Sequence, residues 1–477
     1  MTGAEQTDDE SSPSPAGKRW GSWWWLFLAL GLVGLIVTLQ DRAKSGRAKL
    51  IESIRASGYP ALLSDLDKYY PYVADGENAA MAAINAFDYH VTSDKMGLKL
   101  KLPEHDEPLS SETKRDLSLL MATNIDTFEA IREIRRRPKS HYPVDWSKGI
   151  ATLLPHLAPV KSLANLLHAK AVFEIDRQQD AAAVDAILDS FAVSHSLYAE
   201  PTLIAQLVRL ASVNYALLSI ERYLHYRPLT RAQAKTLLAA IDAAEQDNRS
   251  DMVKGLAGER CLGISIFQST PRQIAQILNN GGSSTPSFGP EALYTLRNLF
   301  GITGRDFVFY NDMLAQWMEI SRLQPPDSIL KAREVSARMK AKISWMTTLS
   351  RQLLPALERV MEKTADSDAR LRLTRAAIFV EQYRALHSML PVNLLEAAPE
   401  VSTTALVDPF DGQRLRYRKL GPPAQGYILY SVGLNQQDDN GLRGSSKASL
   451  TEFGVLGKQT SSNPPSAEDD ISLIFQK

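Results

Sequence analysis

The sequence predicts a mainly α protein: an N-terminal transmembrane helix, an antiparallel and solenoid-like helical domain, and a small C-terminal α+β domain. Three observations predict it. A charge-free apolar run occupies Trp20–Gln40; apolar residues recur at three- and four-residue steps from Ser110 to about Lys363; and past Asp366 the chain changes to short alternating segments and turns. The segments are a tail (1–19), an anchor (20–40), a juxtamembrane helical segment (41–109), a helical domain (110–365) and an α+β domain (366–477).

Composition sets the outer limits. At 477 residues, 44% apolar and 23% charged, the chain has ordinary globular composition and room for two or three cores. Lys plus Arg and Asp plus Glu both total 54, so no net charge draws it to nucleic acid. One cysteine, Cys261, excludes an intramolecular disulfide framework and a cysteine-based zinc site. Its surroundings, "GERCLGIS", suit a small buried hydrophobe better than a reactive thiol.

Residues 1–17 are acidic, Ser/Pro-rich and aperiodic, which predicts a disordered tail. The run "WGSWWWLFLALGLVGLIVTLQ" matches the roughly 20 residues that span a hydrocarbon core of about 30 Å. Trp20, Trp23, Trp24 and Trp25 crowd one end as an interfacial belt. A cleaved signal peptide is the competing reading. "DRAKSGRAK" follows without a small-x-small site, which favours a retained anchor in a lipid bilayer. Lys18 and Arg19 flank one side, and Arg42, Lys44, Arg47 and Lys49 the other, so the charge count alone puts the C-terminal bulk in the cytoplasm.

The helical part is justified by its stripes. Leu117, Leu120, Met121, Ile125, Phe128 and Ile131 form one; Leu163, Leu166, Leu167 and Ala171 a second; Leu203, Leu207, Leu210 and Ala211 a third. Helix starts are expected at "DAAAV", "EPTLI" and "LTRAQ", and stops at "RRRPKSHYP", "HYRPL" and "NNGGSSTPSFGP". No fixed repeat period emerges. After "SDARLRLTRAAIFVEQYRALHSMLPVNLLE", one long helix, the turn "DPFDG" precedes the alternating strands "RLRYRK" and "YILYSV", with "AEDDISLIFQ" closing the chain.

This last unit resembles the soluble domain of the major pseudopilin of bacterial type II secretion. The matching pieces are "YRALHSMLPVNLLE", "DPFDGQRLRY", "YILYSVGLN" and "EDDI", in that family's order. The resemblance implies a long helix on a small antiparallel sheet and a location outside the cytoplasmic membrane. It also implies a Ca²⁺ site shared by the loop after the last matched strand and the final Asp-rich segment. On this chain the candidate ligands are Asn435, Asp438, Asp439 and Asp470, with Asp469 alongside. Calcium takes six to eight oxygen ligands in a flexible loop, and glycines flank this one. A solvated acidic turn without metal is the competing reading. The whole layout also looks like a group of large, uncharacterised, membrane-anchored bacterial proteins, a likeness that implies no activity.

The eight histidines form no His-Glu-x-x-His set, and no nucleophile elbow, P-loop or dinucleotide fingerprint occurs in the sequence. Glu259 beside Arg260 reads as a buried ion pair anchoring two helices, and the basic run Arg132–Lys139 as a solvated helix end matched to the macrodipole. Two functions remain. One is a single-pass envelope scaffold with a partner protein, linked to type II secretion or pilus-like machinery, whose C-terminal loop calcium stiffens. The alternative is an envelope hydrolase with paired carboxylates in a helical cleft.

Overall fold

The computed structural model describes residues 21–278, 288–344, 346–399, 403–421, 426–441 and 470–475. The tail 1–19, Trp20, residues 279–287 of the breaker-rich stretch, and Asp469 lie outside them. The first half contains α1 (Gly21–Ala56), α2 (Leu66–Tyr69), α3 (Ala79–Tyr89), α4 (Ser111–Thr123), α5 (Ile125–Arg135), α6 (Leu157–Asp176), α7 (Asp180–His195) and α8 (Leu203–Tyr226). Then come α9 (Arg231–Gln268), α10 (Pro271–Leu278), α11 (Phe288–Leu299), α12 (Ile302–Ser321), α13 (Asp327–Lys342), α14 (Thr348–Leu353), α15 (Pro355–His387) and α16 (Leu394–Ala397). Three strands, β1 (Arg416–Lys419), β2 (Tyr427–Ser431) and β3 (Ile471–Phe475), lie near the C-terminus.

Helix α1 carries the apolar run on through the charged residues that follow it, 36 residues in all and about 54 Å at the usual rise. From Trp24 to Leu35 its side chains are bare. Ile36, Leu39, Gln40, Ala43, Arg47 and Leu50 then become half-buried at helical spacing, on the side where α11 and α12 pack. By length and composition α1 and α8 are both apolar enough to cross a membrane. In α8 the apolar window is 78% buried, which is the environment of a core helix.

Local chemistry explains the helix ends. Asp180 opens α7; Thr202 accepts from Ala205 N to cap α8; Thr230 forms a capping box with Gln233 at α9. All three expected starts are therefore observed. The first expected stripe is split. The chain breaks at Asn124, whose side chain braces Val91 N, Val91 O and Leu120 O, and Ile125 beyond it is 57% exposed.

Helix α6 packs on α7, α7 on α8 and α8 on α9, and α15 returns across α8 and α9. Of the third stripe, Leu203, Leu210 and Ala211 are buried and Leu207 is half-buried. The boundary expected at 365/366 falls inside α15, which begins with Pro355 in its first turn, where proline's missing N–H is harmless. The sheet is antiparallel in the order β1-β2-β3, with Tyr430 opposite Arg416 on one side and Ser472 on the other. Tyr427, Leu429, Leu473 and Phe475 join one core with Ile220, Ile241, Leu373 and Ala377 from α8, α9 and α15. The β3 edge is covered by the segment before α4: His105 Nε2 lies 3.3 Å from Ile474 O, and Arg222 holds Glu104 O and Glu107 O.

Candidate functional site

The strand-end loop is built around Asp408. Its buried carboxylate accepts from Phe410 N (3.0 Å), Ser431 Oγ (2.8 Å), Val432 N (2.9 Å) and Arg416 Nη1 (2.8 Å). Burial pushes this carboxyl up, against those hydrogen bonds. The "DPFDG" turn thus pins the end of β2 and aims the chain beyond it. Reading that motif as turn chemistry alone missed this role.

From Gly433 the loop folds back over the outer face of β2. Arg333 reaches from α13 to Leu434 O and to Gln436 Oε1 (3.2 Å), and Gln436 Nε2 donates to Phe410 O. Asn435 is occupied at both ends: Oδ1 accepts from Gln437 N (3.0 Å) and Nδ2 donates to Asp439 Oδ2 (3.1 Å). Asp438 accepts from Asn440 N at 3.0 Å. Gly441 N donates to Asp470 Oδ2 at 2.8 Å, which ties the loop to the start of β3.

Asp470 is the unusual member. It is 4% exposed, and its Oδ1 has no hydrogen-bond donor among the described residues. Burial pushes its carboxyl up, and the neighbouring charges of Asp439 and Asp438 push the same way. The Tyr430 phenol is raised to about 12 by burial and by its hydrogen bond to Asp438. The fold therefore gathers Asp438, Asp439 and Asp470, with Asn435 braced on Asp439. As placed, the described residues contain no group of three or more His, Cys, Asp or Glu set to hold a metal ion.

Two narrow pockets flank α15. The first, a cavity of about 20 Å³ and partly open, is lined by Asn248, Met252, Pro325, Met361 and Asp368 among others. Behind it runs a buried polar chain: Asn248 Nδ2 donates to Asp368 (2.7 Å), Arg209 donates to Asn248 Oδ1 (3.0 Å) and to Gln206 Oε1 (2.8 Å). The second, also about 20 Å³, is lined by Arg333, Glu358, Glu362, Phe410 and Leu434 among others. Burial works against ionising Glu358, yet hydrogen bonds from Ser336 and Lys340 hold its carboxyl low. Burial, then Glu358 itself, pushes Glu362 up. This carboxylate pair lines the second pocket alone, and Lys340 at 2.9 Å already engages one member.

Other expected features resolve in the helical body. Glu259 and Arg260 do not pair. Glu259 accepts a hydrogen bond from Leu203 N, while Arg260 lies over the Tyr59 ring at 5.4 Å, because successive residues on a helix face different neighbours. Cys261 is fully buried, its thiol pushed up to about 12 by burial. His168 bonds Ser219 and is pushed down to about 4 by burial, the behaviour of a packed histidine. In the basic run, Arg135 pairs with Asp185 and Asp189, Lys139 with Glu77, and Arg137 donates to Asp75 O and Asn78 O.

Comparison with protein-family models, with curated proteins and with solved structures finds no match for this chain. The class that fold and site define is a mainly helical protein with a bare apolar N-terminal helix and a small C-terminal sheet carrying a braced acidic loop.

Proposed function

We propose that this chain is a single-pass membrane-anchored scaffold of the cell envelope, with its bulk outside the cytoplasmic membrane and its C-terminal unit a protein-interaction module. The observation that carries this reading is the course of α1, bare and apolar in its first half and packed on α12 in its second. A body so joined is held at the membrane in one orientation. The buried Arg209–Asn248–Asp368 chain supports the scaffold over the hydrolase reading, since it links α8, α9 and α15 to one another. The sequential packing of α6 to α9 fits a solenoid-like stack, and α15 with β1–β3 fits the pseudopilin resemblance and a link to secretion or pilus-like machinery.

Calcium at Asp438, Asp439 and Asp470 belongs to the same proposal. A cation relieves the crowding of three carboxylates and engages the unpartnered Asp470 Oδ1. Asn435 braces Asp439 and, through the loop, Arg333 on α13. Stiffening this loop therefore stiffens its seat on the helical body.

Full-length protein is expected in the membrane pellet after alkaline washing, and externally added protease should digest the C-terminal region in spheroplasts. Soluble recovery with a new N-terminus beyond Gln40 would identify a cleaved signal peptide; protection until lysis would reverse the orientation. Thermal melts of the full chain in EDTA and in millimolar calcium test the ion. At a hundredfold excess over Kd, binding to the folded state alone adds about 2.7 kcal/mol. Asp438→Ala/Asp470→Ala should abolish the gain, and equal wild-type midpoints would leave an acidic turn.

A further inference from the structure

We propose that the elbow joining α11 to α12, residues 296–305, rests in the lipid headgroup layer of the bilayer that holds α1. This rests on the anchored reading above. The elbow's height is fixed by close packing. Gly301, at φ +71, turns the chain beside Leu39, where a Cβ would lie 3.8 Å from Leu39 O. Gly304 follows against Ala43, where a Cβ would lie 3.0 Å from the Ala43 methyl. Leu39 belongs to the last turn of the charge-free run, about 3–5 Å of helix rise before Asp41 and Arg42, the first charges after it. Those charges mark the edge of the hydrocarbon, and the headgroup layer beyond is roughly 5–8 Å deep. The elbow, packed from Leu39 to Ala43, meets that edge.

The side chains fit that layer. The elbow reads "LRNLFGITGR", and its two large bare apolar side chains are Leu296, 51% exposed, and Phe300, 47% exposed. Arg297 and Arg305 flank them, and Arg42 and Lys44 of α1 stand within about 8 Å of Leu39 along the helix. Apolar tips beside long basic side chains match a boundary where acyl chains meet anionic phosphates. A second copy of the chain is the poorer occupant. Two side chains, at most a few hundred Å² even if fully covered, fall short of the ~800 Å² per partner that stable interfaces bury.

The test uses full-length protein in vesicles containing anionic lipid. Cys261 is the only native cysteine and is buried, so an environment-sensitive fluorophore goes selectively onto Phe300→Cys or Leu296→Cys. Leu32→Cys reports the anchor, and Leu386→Cys, at a site 79% exposed on α15, reports bare surface. The elbow labels should be blue-shifted and quenched by lipids carrying a nitroxide near the headgroup, with Leu386→Cys unaffected. A quenched Leu32→Cys with water-like, unquenched elbow labels would overturn the elbow contact and leave the anchor standing. An unquenched Leu32→Cys would remove the anchor and this inference with it. Shielding at Phe300→Cys that grows with protein-to-lipid ratio, without nitroxide quenching, would assign the elbow to a second copy. Circular dichroism of each labelled variant confirms that the helices persist.

Discussion

Gly441 sits at φ +76, and a Cβ there would lie 2.9 Å from Ile428 Cγ2 and 3.0 Å from the Tyr430 ring. Both the backbone angle and the space exclude a side chain. Gly441→Ala should cost about 1–3 kcal/mol, read as a lower urea midpoint, and should loosen the Asp470 contact. Asp470 supplies a pH signature. Its carboxyl is raised in the folded state, so the folded protein binds that proton more tightly than the unfolded chain. The stability from this group is complete below the ordinary carboxylate value of 3.8 and is lost as pH rises through the raised one. Asp470→Asn should flatten that part of the stability–pH curve and raise the midpoint at neutral pH without calcium; an unchanged curve would mean the carboxylate is freely solvated. At this scale the sequence exposed the acids and their glycine hinges. It hid Asp408, because Ser431 and Val432 are brought to it only by strand pairing, and it hid the double use of Asn435.

Among the helices, α9 shows how closely elements meet. A Cβ on Gly258 would fall 1.6 Å from Pro201 O, so α9 lies flush against the chain entering α8. Gly258→Ala must push the two apart, and calorimetry should show a loss at or beyond the 1–3 kcal/mol usual for overpacking. Between α9 and α15 the contact is ionic: Glu245 accepts from Arg372 (2.9 Å) and Arg375 (2.7 Å). Burial opposes ionisation of Glu245, yet the two guanidiniums hold its carboxyl below the usual range. Glu245→Ala leaves Arg372 buried without a carboxylate, while Arg375 keeps Asp242 at 2.7 Å, and should cost about 3 kcal/mol, measured by denaturant unfolding. Helix starts were legible because Thr202 and Thr230 cap within one turn of themselves and Asp180 lies in the first turn of α7, where the helix dipole favours an acid. The break at Asn124 was not, since apolar spacing runs through it and the partner, Val91, is distant in sequence.

For the whole molecule, the sheet and the helical body share a core, and the loop is fastened to α13 through Arg333. The full chain should unfold in a single calorimetric transition covering sheet and α8–α9 together; an early separate transition would mark an independent C-terminal unit. Truncation should divide α1 in function. Removing residues 1–35 takes away, among the described residues, only the bare stretch 24–35, and should yield a soluble, folded protein. Removing residues 1–56 also takes Ile54, which is buried, and Leu50 and Ile51 packed beside it, so the melting temperature should fall. The apolar run was legible as an anchor candidate and the segment after it as helical. That the two form one unbroken helix was not, because charged residues such as Arg42 and Lys44 occupy the solvent side of a helix as readily as a loop.

That continuity gives the molecule the mechanics of a rigid mast. A spanning helix answers changes in bilayer thickness by tilting. On the anchored reading proposed above, α1 runs into the body without a break, so a tilt of the mast would swing the body through the same angle. Lipid composition, by setting bilayer thickness, would then steer the direction in which the acidic loop faces.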